Sequence, residues 1–350
     1  MVVAEIAARV LAPPGGAHLL FNGPDGEPDN LVQPDQELRT ALRPGFTGTV
    51  RLPGVNVDLR VNALGFRGEE PPAPAGRARW IAIGDSFTFA AQVSEEDTFA
   101  AQLGARVGAD VFNAGVDGDS TWQSARRYLR VEPAIAPDGV VLVYFLGNDP
   151  LDNERFAPTP PPAEPRPAVA GPLATAPRPR LTPYEAFLFE HSFLHAHWRV
   201  WSRTQRLTGG RGGDLVRWRD EVELYTTRGR GRIQGAMPHT ERAFQELAAW
   251  TKERGDRLVV ALAPPVFAVD PARLAPTLSL VGLDPASGDT TTLHAAVTAV
   301  LARQGIAACD LQAPLRAAQA AGEEPYLHYD GHWSAAGHRV VADALAGCLQ

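Results

Sequence analysis

Ser86 occupies a position where a serine can act as a nucleophile. It follows the apolar run Trp80–Ile83 and the dipeptide Gly84-Asp85, and an amphipathic segment begins near Glu95. This pattern predicts a buried strand, a tight turn and then a helix. The positive end of a helix dipole favours a developing alkoxide, although most serines in such turns serve only as caps. The rest of the chain must therefore supply a base and an oxyanion site.

A candidate base lies close to the C-terminus, in Tyr329-Asp330-Gly331-His332-Trp333-Ser334. Imidazole titrates near neutral pH, as a general base must, and a neighbouring carboxylate can hold its tautomer. A helix is predicted directly after this segment, which places the loop at one end of the sheet. We therefore interpret Asp330 as the acid and His332 as the base of a serine triad.

Two further segments could stabilise an oxyanion. The 113–121 segment after the second predicted strand contains Gly115 and Gly118, and a glycine there can present its backbone N–H to a substrate. Asn148 directly follows the third predicted strand, and its amide could donate to the same oxygen. The structural alternatives are a helix-capping turn at Ser120 and an Asx turn at Asn148.

The elements that must position these residues alternate between strand and helix. Strands are predicted at Trp80–Ile83, Asp110–Asn113, Val140–Leu146, Leu258–Leu262 and Ile306–Leu311. Helices are predicted at Thr98–Val107, Ser120–Val131, Thr240–Arg254, Thr291–Gln304 and Ala335–Leu349. Apolar strands separated by amphipathic helices indicate a parallel sheet covered on both faces. The predicted fold class is α/β, a flavodoxin-like three-layer α/β/α arrangement with ligands at the carboxyl edge of the sheet.

The alternation of strands and helices covers 77–155 and 239–350, which we interpret as one domain. Two regions lie outside it: an N-terminal extension, 1–76, and an insertion, 156–238. Turn signals and a hairpin pattern predict a small β-rich N-terminal lobe, followed by a spacer at Pro71–Pro74. The 156–238 insertion starts with a proline-rich linker, and an aromatic and then arginine-rich part follows. We interpret the arginines as a solvated surface or as a cap over an anionic substrate.

Composition excludes several classes of function. The formal charge of −7 argues against nucleic acid as a partner, and no apolar run is long enough for an integral membrane segment. Met1–Ala12 carries two charged residues, so it fails as a signal peptide and predicts an amphipathic helix. The default location is cytoplasmic.

Cys309 and Cys348 are too few for a zinc site. Two buried thiols are the commoner arrangement, and a disulfide from the last strand to the last helix is the alternative.

Together, these residues make the chain resemble the SGNH (GDSL-type) hydrolase superfamily over about 79–155 and 240–349. The residues that match its catalytic positions are Ser86, Gly118, Asn148, Asp330 and His332. The resemblance implies an esterase that hydrolyses short-chain acyl esters, including O-acetyl groups of a carbohydrate, through an acyl-enzyme. It implies a small-molecule or glycan ester substrate and neither a cofactor nor a metal. Val61–Gly68 is similar to bacterial members with an N-terminal extension, which are often exported or membrane-associated.

One departure from the superfamily opens a second function. The chain has Asp-x-His followed by Trp333, whereas many members have Asp-x-x-His. The shorter spacing is similar to the alginate O-acetyltransferase branch, so an O-acyltransferase acting on a glycan is an alternative. A catalytically inactive carbohydrate-binding protein is a third.

Other chemistries fit the sequence less well. A nucleophile elbow needs Gly-x-Ser-x-Gly, but position 88 is threonine. Nucleotide-binding glycine motifs are missing from the sequence. His191, His195 and His197 lack the interleaved glutamate of a zincin, so no metal site is predicted there.

Overall fold

The protein was analysed as a computed structural model, which describes residues 31–52, 55–158, 213–327 and 331–350. Strands are β1 (Val32–Asp35), β2 (Arg39–Leu42), β3 (Thr47–Leu52), β4 (Val55–Arg60), β5 (Arg79–Gly84), β6 (Asp110–Asn113), β7 (Gly139–Phe145), β8 (Arg257–Ala263) and β9 (Ala307–Asp310). Helices are α1 (Ser86–Phe89), α2 (Phe99–Val107), α3 (Thr121–Ile135), α4 (Asp149–Arg155), α5 (Gly213–Glu223), α6 (Arg230–Arg254), α7 (Val266–Val269), α8 (Leu274–Leu280), α9 (Thr292–Gln304), α10 (Gln312–Ala320) and α11 (Ala335–Leu349). The predicted helix Met1–Ala12, most of the 156–238 insertion and Asp330 lie outside the described residues.

The central sheet has five parallel strands in the order β6-β5-β7-β8-β9. Strand β5 pairs with β7 in the register Ala82↔Val141, and β7 pairs with β8 through Leu142↔Val260. Every residue of β5 is buried because helices cover both faces of the sheet. Helices α2 and α11 contact each other, and α3 and α9 each contact α6. The predicted flavodoxin-like α/β/α fold is thereby confirmed.

The N-terminal residues form two antiparallel hairpins, β1–β2 and β3–β4. The second hairpin has the predicted alternation: the odd-numbered residues of β4 are buried and the even-numbered ones exposed. The buried side chains form a separate apolar cluster, which consists of Leu31, Leu42, Val50, Val55, Val57, Leu59 and Val61 together with Phe89, Ala91 and Val116 from the α/β domain. The lobe is therefore packed directly against loops of the sheet.

The structure differs from the sequence prediction between the insertion and the last strands. Helix α6 begins at Arg230 and runs without a break through Pro238, where the insertion was expected to end. Trp218, Val222 and Tyr225 belong to the main core, so this part of the arginine-rich segment is not a solvated surface. Burial of these apolar side chains holds this part of the segment against the core. The exact division of the chain into domains stays a prediction.

The two cysteines form a disulfide that joins β9 to α11. The expectation of two buried thiols is therefore wrong, because Cys309 and Cys348 lie next to each other in the folded chain. None of the helices in the described ranges combines the length and apolar character that spanning a bilayer requires.

Candidate active site

Ser86 is the first residue of the short helix α1, directly after the end of β5. Asp85 caps this helix, since its Oδ1 accepts the Phe87 N–H at 2.9 Å. Gly84 has φ +146°, and a Cβ there would lie 2.3 Å from Thr88 Oγ1 and 2.7 Å from the carbonyl oxygen of the neighbouring strand. Only glycine fits this approach. The Gly-Asp-Ser sequence is thus required by the turn that presents the hydroxyl.

His332 lies against this hydroxyl, with its Nε2 2.8 Å from Ser86 Oγ. The ring is 7% exposed. Its loop is closed by a hydrogen bond from Leu327 N–H to the His332 carbonyl at 2.8 Å. The Tyr326 hydroxyl donates to the Pro264 carbonyl at 2.7 Å and so ties the loop to the end of β8. The loop therefore brings a residue near the C-terminus within proton-transfer distance of residue 86.

An aromatic side chain supports the imidazole. Phe87 lies with its ring centroid 4.9 Å from that of His332 and 4.0 Å from that of Phe145. Trp333 meets Phe87 edge-on at 4.9 Å. These contacts restrict the imidazole to one plane beside the nucleophile.

The other edge of the imidazole contacts Gln92. Its Nε2 is 3.3 Å from His332 Nδ1, and its Oε1 is buried without a partner among the described residues. Gln92 is 9% exposed and follows α1 by three residues. A second polar group therefore meets the base at the nitrogen that does not face Ser86.

The two predicted oxyanion donors follow β6 and β7, and both lie on the same edge of the sheet as Ser86. Gly118 has φ +74°, and no atom lies within 4 Å of the position a Cβ would take. The Asn148 amide donates to Asp152 Oδ2 at 3.1 Å, which leaves its second hydrogen for another acceptor. The open backbone at Gly118 and the braced amide of Asn148 are compatible with binding an oxyanion.

Buried carboxyl groups lie behind the serine. Burial raises the pKa of Asp85 to about 7, while the Phe87 N–H and His332 act in the opposite direction. Burial and then the charge of Asp85 raise the pKa of Asp149 well above its usual range. Asp85 Oδ2 and Asp149 Oδ1 are both buried without a described hydrogen-bond partner. A protonated carboxyl is favoured at this position, because two ionised groups would repel each other in a poorly solvated site.

The structure brings Ser86 and His332 together, whereas Asp330 lies outside the described residues. Within the described ranges, no cluster of three or more acidic, histidine or cysteine side chains could hold a metal. The histidines His191, His195 and His197 also fall outside those ranges.

Sequence reasoning missed three residues that shape the site. Asn113 donates through its amide to the Thr88 carbonyl at 2.7 Å and so braces the turn after the nucleophile. Arg67 binds carbonyl groups of the same turn, and Gln92 reaches the base. Arg67 was visible in the Val61–Gly68 segment, but Gln92 belongs to no motif.

The comparisons with known proteins agree with this geometry for the C-terminal part of the chain. Residues 222–350 match the family model of the SGNH hydrolase-like domain of the acetyltransferase AlgX. The match covers less than half of the chain and lies in its C-terminal part. The predicted resemblance to the SGNH superfamily is confirmed there, and the matched residues include His332. Ser86, Gly118 and Asn148 precede them. No curated protein sequence matches the chain.

Several solved structures are also similar to this chain. A protein of the G-D-S-L lipolytic family from Desulfitobacterium hafniense has 13% identity and a TM-score of 0.39, with 77% of this chain and 99% of that chain covered. The acetylxylan esterase Axe2 from Geobacillus stearothermophilus, as a catalytic mutant, has 15% identity and a TM-score of 0.38, with 79% and 95% covered. A carbohydrate esterase of family 2 from Corynascus thermopiles has 14% identity and a TM-score of 0.41, with 83% and 74% covered.

Proposed function

We propose that the protein is a serine esterase that hydrolyses short-chain acyl esters, including O-acetyl groups on a carbohydrate, through an acyl-enzyme. The observation that carries the proposal is the 2.8 Å contact between His332 Nε2 and Ser86 Oγ. A serine hydroxyl is a weak nucleophile unless an adjacent base removes its proton. An imidazole is the side chain whose ordinary pKa suits this transfer at neutral pH.

In the proposed reaction, Ser86 Oγ attacks the ester carbonyl while its proton passes to His332 Nε2. The tetrahedral intermediate collapses, the ester C–O bond breaks, and His332 returns the proton to the departing alcohol. Water then attacks the acyl-serine, with His332 acting again as base, and the carboxylic acid leaves. Asp330 would hold the imidazole with its proton on Nδ1, so that Nε2 stays able to accept.

The oxyanion of each tetrahedral intermediate would be bound by the Ser86 and Gly118 backbone N–H groups and by the Asn148 side chain. Ser86 N–H opens helix α1, where the first N–H groups have no partner within the helix. The Asp152 contact keeps the Asn148 amide in place. Such preorganised donors stabilise charge as it develops without a cost of reorganisation.

A second candidate is O-acyl transfer to a glycan, and the match of residues 222–350 to the AlgX acetyltransferase domain favours it. The two reactions share the acyl-enzyme and differ only in the nucleophile that resolves it. A sugar hydroxyl bound above Ser86 would take the place of water, and His332 would remove its proton.

Variants of the two central residues test the proposal. Ser86→Ala and His332→Ala should each abolish release of acid from a short acyl ester, because each removes an atom of the proton transfer. A fluorophosphonate should label Ser86 in the wild-type protein and in the control Ser279→Ala, whose exposed serine lies on α8. Circular dichroism would check that the variants are folded. Failure of the wild-type protein to form an adduct on Ser86 would favour an inactive carbohydrate-binding protein.

A competition experiment separates hydrolysis from transfer. The protein is incubated with an acyl donor with and without acetylatable oligosaccharides, and both acyl-sugar and free acid are measured. An esterase should release free acid at the same rate in both mixtures, whereas a transferase should acylate the sugar faster than it releases acid.

A further inference from the structure

The N-terminal lobe reaches the turn after the nucleophile through one buried arginine. Arg67 is 5% exposed, and its guanidinium binds the carbonyl oxygens of Phe89 at 2.8 Å, of Ala90 and of Val93. Burial lowers the pKa of Arg67 to about 10, so the group stays charged at neutral pH. A charged fork that binds three carbonyl groups fixes the backbone between them. Gln92 lies within this clamped segment.

The same turn also belongs to the apolar core of the lobe. Phe89 and Ala91 pack in the cluster formed by the β-hairpins rather than in the core of the sheet. Val116, from the loop that precedes Gly118, packs in that cluster as well. The backbone N–H of Arg67 adds a hydrogen bond to the Asn113 carbonyl at 3.0 Å, so the lobe holds both loops beside Ser86.

The contact between Gln92 and His332 bears on the tautomer of the base. Neutral imidazole carries one proton, and Nε2 can accept from Ser86 only when that proton is on Nδ1. In the structure the amide nitrogen of Gln92 is the atom next to Nδ1, and a half-turn of the amide brings its oxygen there to accept from Nδ1–H, which favours the active tautomer. Its NH₂ group in the same place would instead favour the tautomer in which Nε2 donates to Ser86. The orientation of this amide therefore adds to or opposes the hold that Asp330 is proposed to have on the same proton.

We propose that the N-terminal lobe is a positioning element for the catalytic base: Arg67 fixes the Phe89–Val93 segment, and this segment holds the Gln92 amide at Nδ1 of His332. The inference rests on the proposed esterase or transferase function. Gln92 and Arg67 act through His332 and touch no reacting atom, so they are positioning residues. In the proposed mechanism, Asp330 would act on the same ring nitrogen as Gln92.

Two substitutions of Gln92 test the positioning role. Gln92→Met keeps the length of the side chain but loses the amide, so kcat for a short acyl ester should fall about tenfold, part of the roughly 10²–10⁴ that a positioned base contributes. KM should stay within about twofold, because the ester is bound elsewhere. Gln92→Glu restores an acceptor and adds a negative charge, so kcat should recover. The acidic limb of its pH profile should move to higher pH, since a carboxylate favours imidazolium.

The nitrogen chemical shifts of His332 give a readout that a purely structural role would not move. Wild-type protein should show the shifts of the Nδ1–H tautomer, whereas Gln92→Met should show a mixture of both tautomers. Wild-type kcat and an unchanged tautomer in Gln92→Met, together with an unmoved acidic limb in Gln92→Glu, would overturn the inference.

The contribution of the lobe is tested through Arg67 with a matched control. Arg67→Met should lower kcat by about the same factor as Gln92→Met, and the double variant should lose little more, because both act on one contact. Arg130→Met is the control, since Arg130 joins α3 to Asp35 and Glu37 of the lobe at 2.6 Å and 3.0 Å, far along the sequence from the clamp. It should lose stability and keep kcat.

These outcomes separate the two proposals. Inactive Ser86→Ala together with wild-type kinetics in Gln92→Met and Arg67→Met would remove only the positioning role. Full activity of Ser86→Ala would remove both proposals, because no serine reaction would then need the base. A loss of kcat in Arg130→Met equal to that in Arg67→Met would show that the lobe acts only through general stability.

Discussion

At the scale of single residues, Asn148 offers a sharp test of the oxyanion site. Its amide is held by the buried Asp152, and Asn148→Ala removes the donor together with one hydrogen bond to that carboxyl group. We expect the rate to fall by about 10²–10³, as for the loss of one oxyanion donor elsewhere, while KM changes little. The exposed Asn56 on the hairpin provides the control Asn56→Ala. A wild-type rate in Asn148→Ala would exclude the amide from the oxyanion site.

The Asp85 carboxyl group makes the stability of the folded protein depend on pH. Its pKa is raised to about 7 in the folded protein from 3.8, so the folded state binds the proton more tightly than the unfolded state. The stability that this proton contributes is complete below about pH 4 and is lost as the pH rises to about 7. Asp85→Asn keeps an acceptor for the Phe87 N–H and removes the titration.

The free energy of unfolding should therefore rise in Asp85→Asn relative to wild type between about pH 4 and about pH 7, by up to a few kcal/mol. Urea unfolding at several pH values measures this difference. Asp343→Asn, at an exposed position on α11, is the control and should follow the wild-type curve. Parallel curves for Asp85→Asn and wild type would contradict the assigned shift.

The central residues of the site could be predicted from sequence because their chemistry is tied to spacing and element ends. Ser86 and His332 each lie next to a recognisable strand or helix boundary, and the structure brings them together. Gln92 could not be predicted, because its role depends on a contact across 240 residues of sequence. Asp330 and the roles of Gly118 and Asn148 stay predictions.

At the scale of elements, close packing between the loops after β5 and β6 supports the nucleophile. A Cβ on Gly115 would lie 2.5 Å from both the Phe89 backbone nitrogen and Thr88 Cβ. Gly115→Ala should therefore displace the turn after Ser86, lower activity more than about tenfold, and destabilise the fold by about 1–3 kcal/mol.

Gly108→Ala is the matched control for this prediction. Gly108, at the end of α2, has φ +65°, a backbone conformation that favours glycine. No atom lies within 4 Å of the position a Cβ would take there. We expect a loss of about 1 kcal/mol from backbone strain and full activity. Thermal unfolding and ester hydrolysis measure both effects, and equal activity losses in the two variants would contradict the packing argument.

The parallel strands and α11 could be predicted because uninterrupted apolar runs and amphipathic periodicity are local signals. Strand β5 extends the predicted strand by one residue at each end, and α11 has its predicted bounds. The start of α6 could not be predicted, since Gly231, Gly235 and Pro238 argue against a helix on propensity alone. Burial of Ile233, Ala236 and Phe244 against the core outweighs that propensity.

At the scale of the whole molecule, the sequence pattern of the lobe predicts hairpins but not what they cover. Their inward faces need an apolar partner, and part of that partner comes from Phe89, Ala91 and Val116 of the α/β domain. Shared cores of this kind join residues from distant parts of the chain, which is why local periodicity does not reveal them. The lobe and the active-site loops should consequently unfold together.

The disulfide between Cys309 and Cys348 closes a loop across a sequence separation of 39 and joins the last strand of the sheet to the final helix, which directly follows the His332 loop. In the chain-entropy model, a cross-link of this span raises the free energy of the unfolded chain by about 4 kcal/mol.

Cys348→Ser should lower the free energy of unfolding by about 2–4 kcal/mol, and a reductant should have the same effect on wild type. The double variant Cys309→Ser/Cys348→Ser serves as the control, since a reductant should leave its unfolding curve unchanged. Because the bridge starts from β9, the edge strand three positions from β5 in the sheet, ester hydrolysis at a temperature where both forms stay folded should be unaffected. A wild-type unfolding curve that does not move on reduction would contradict the stabilising role of the bridge.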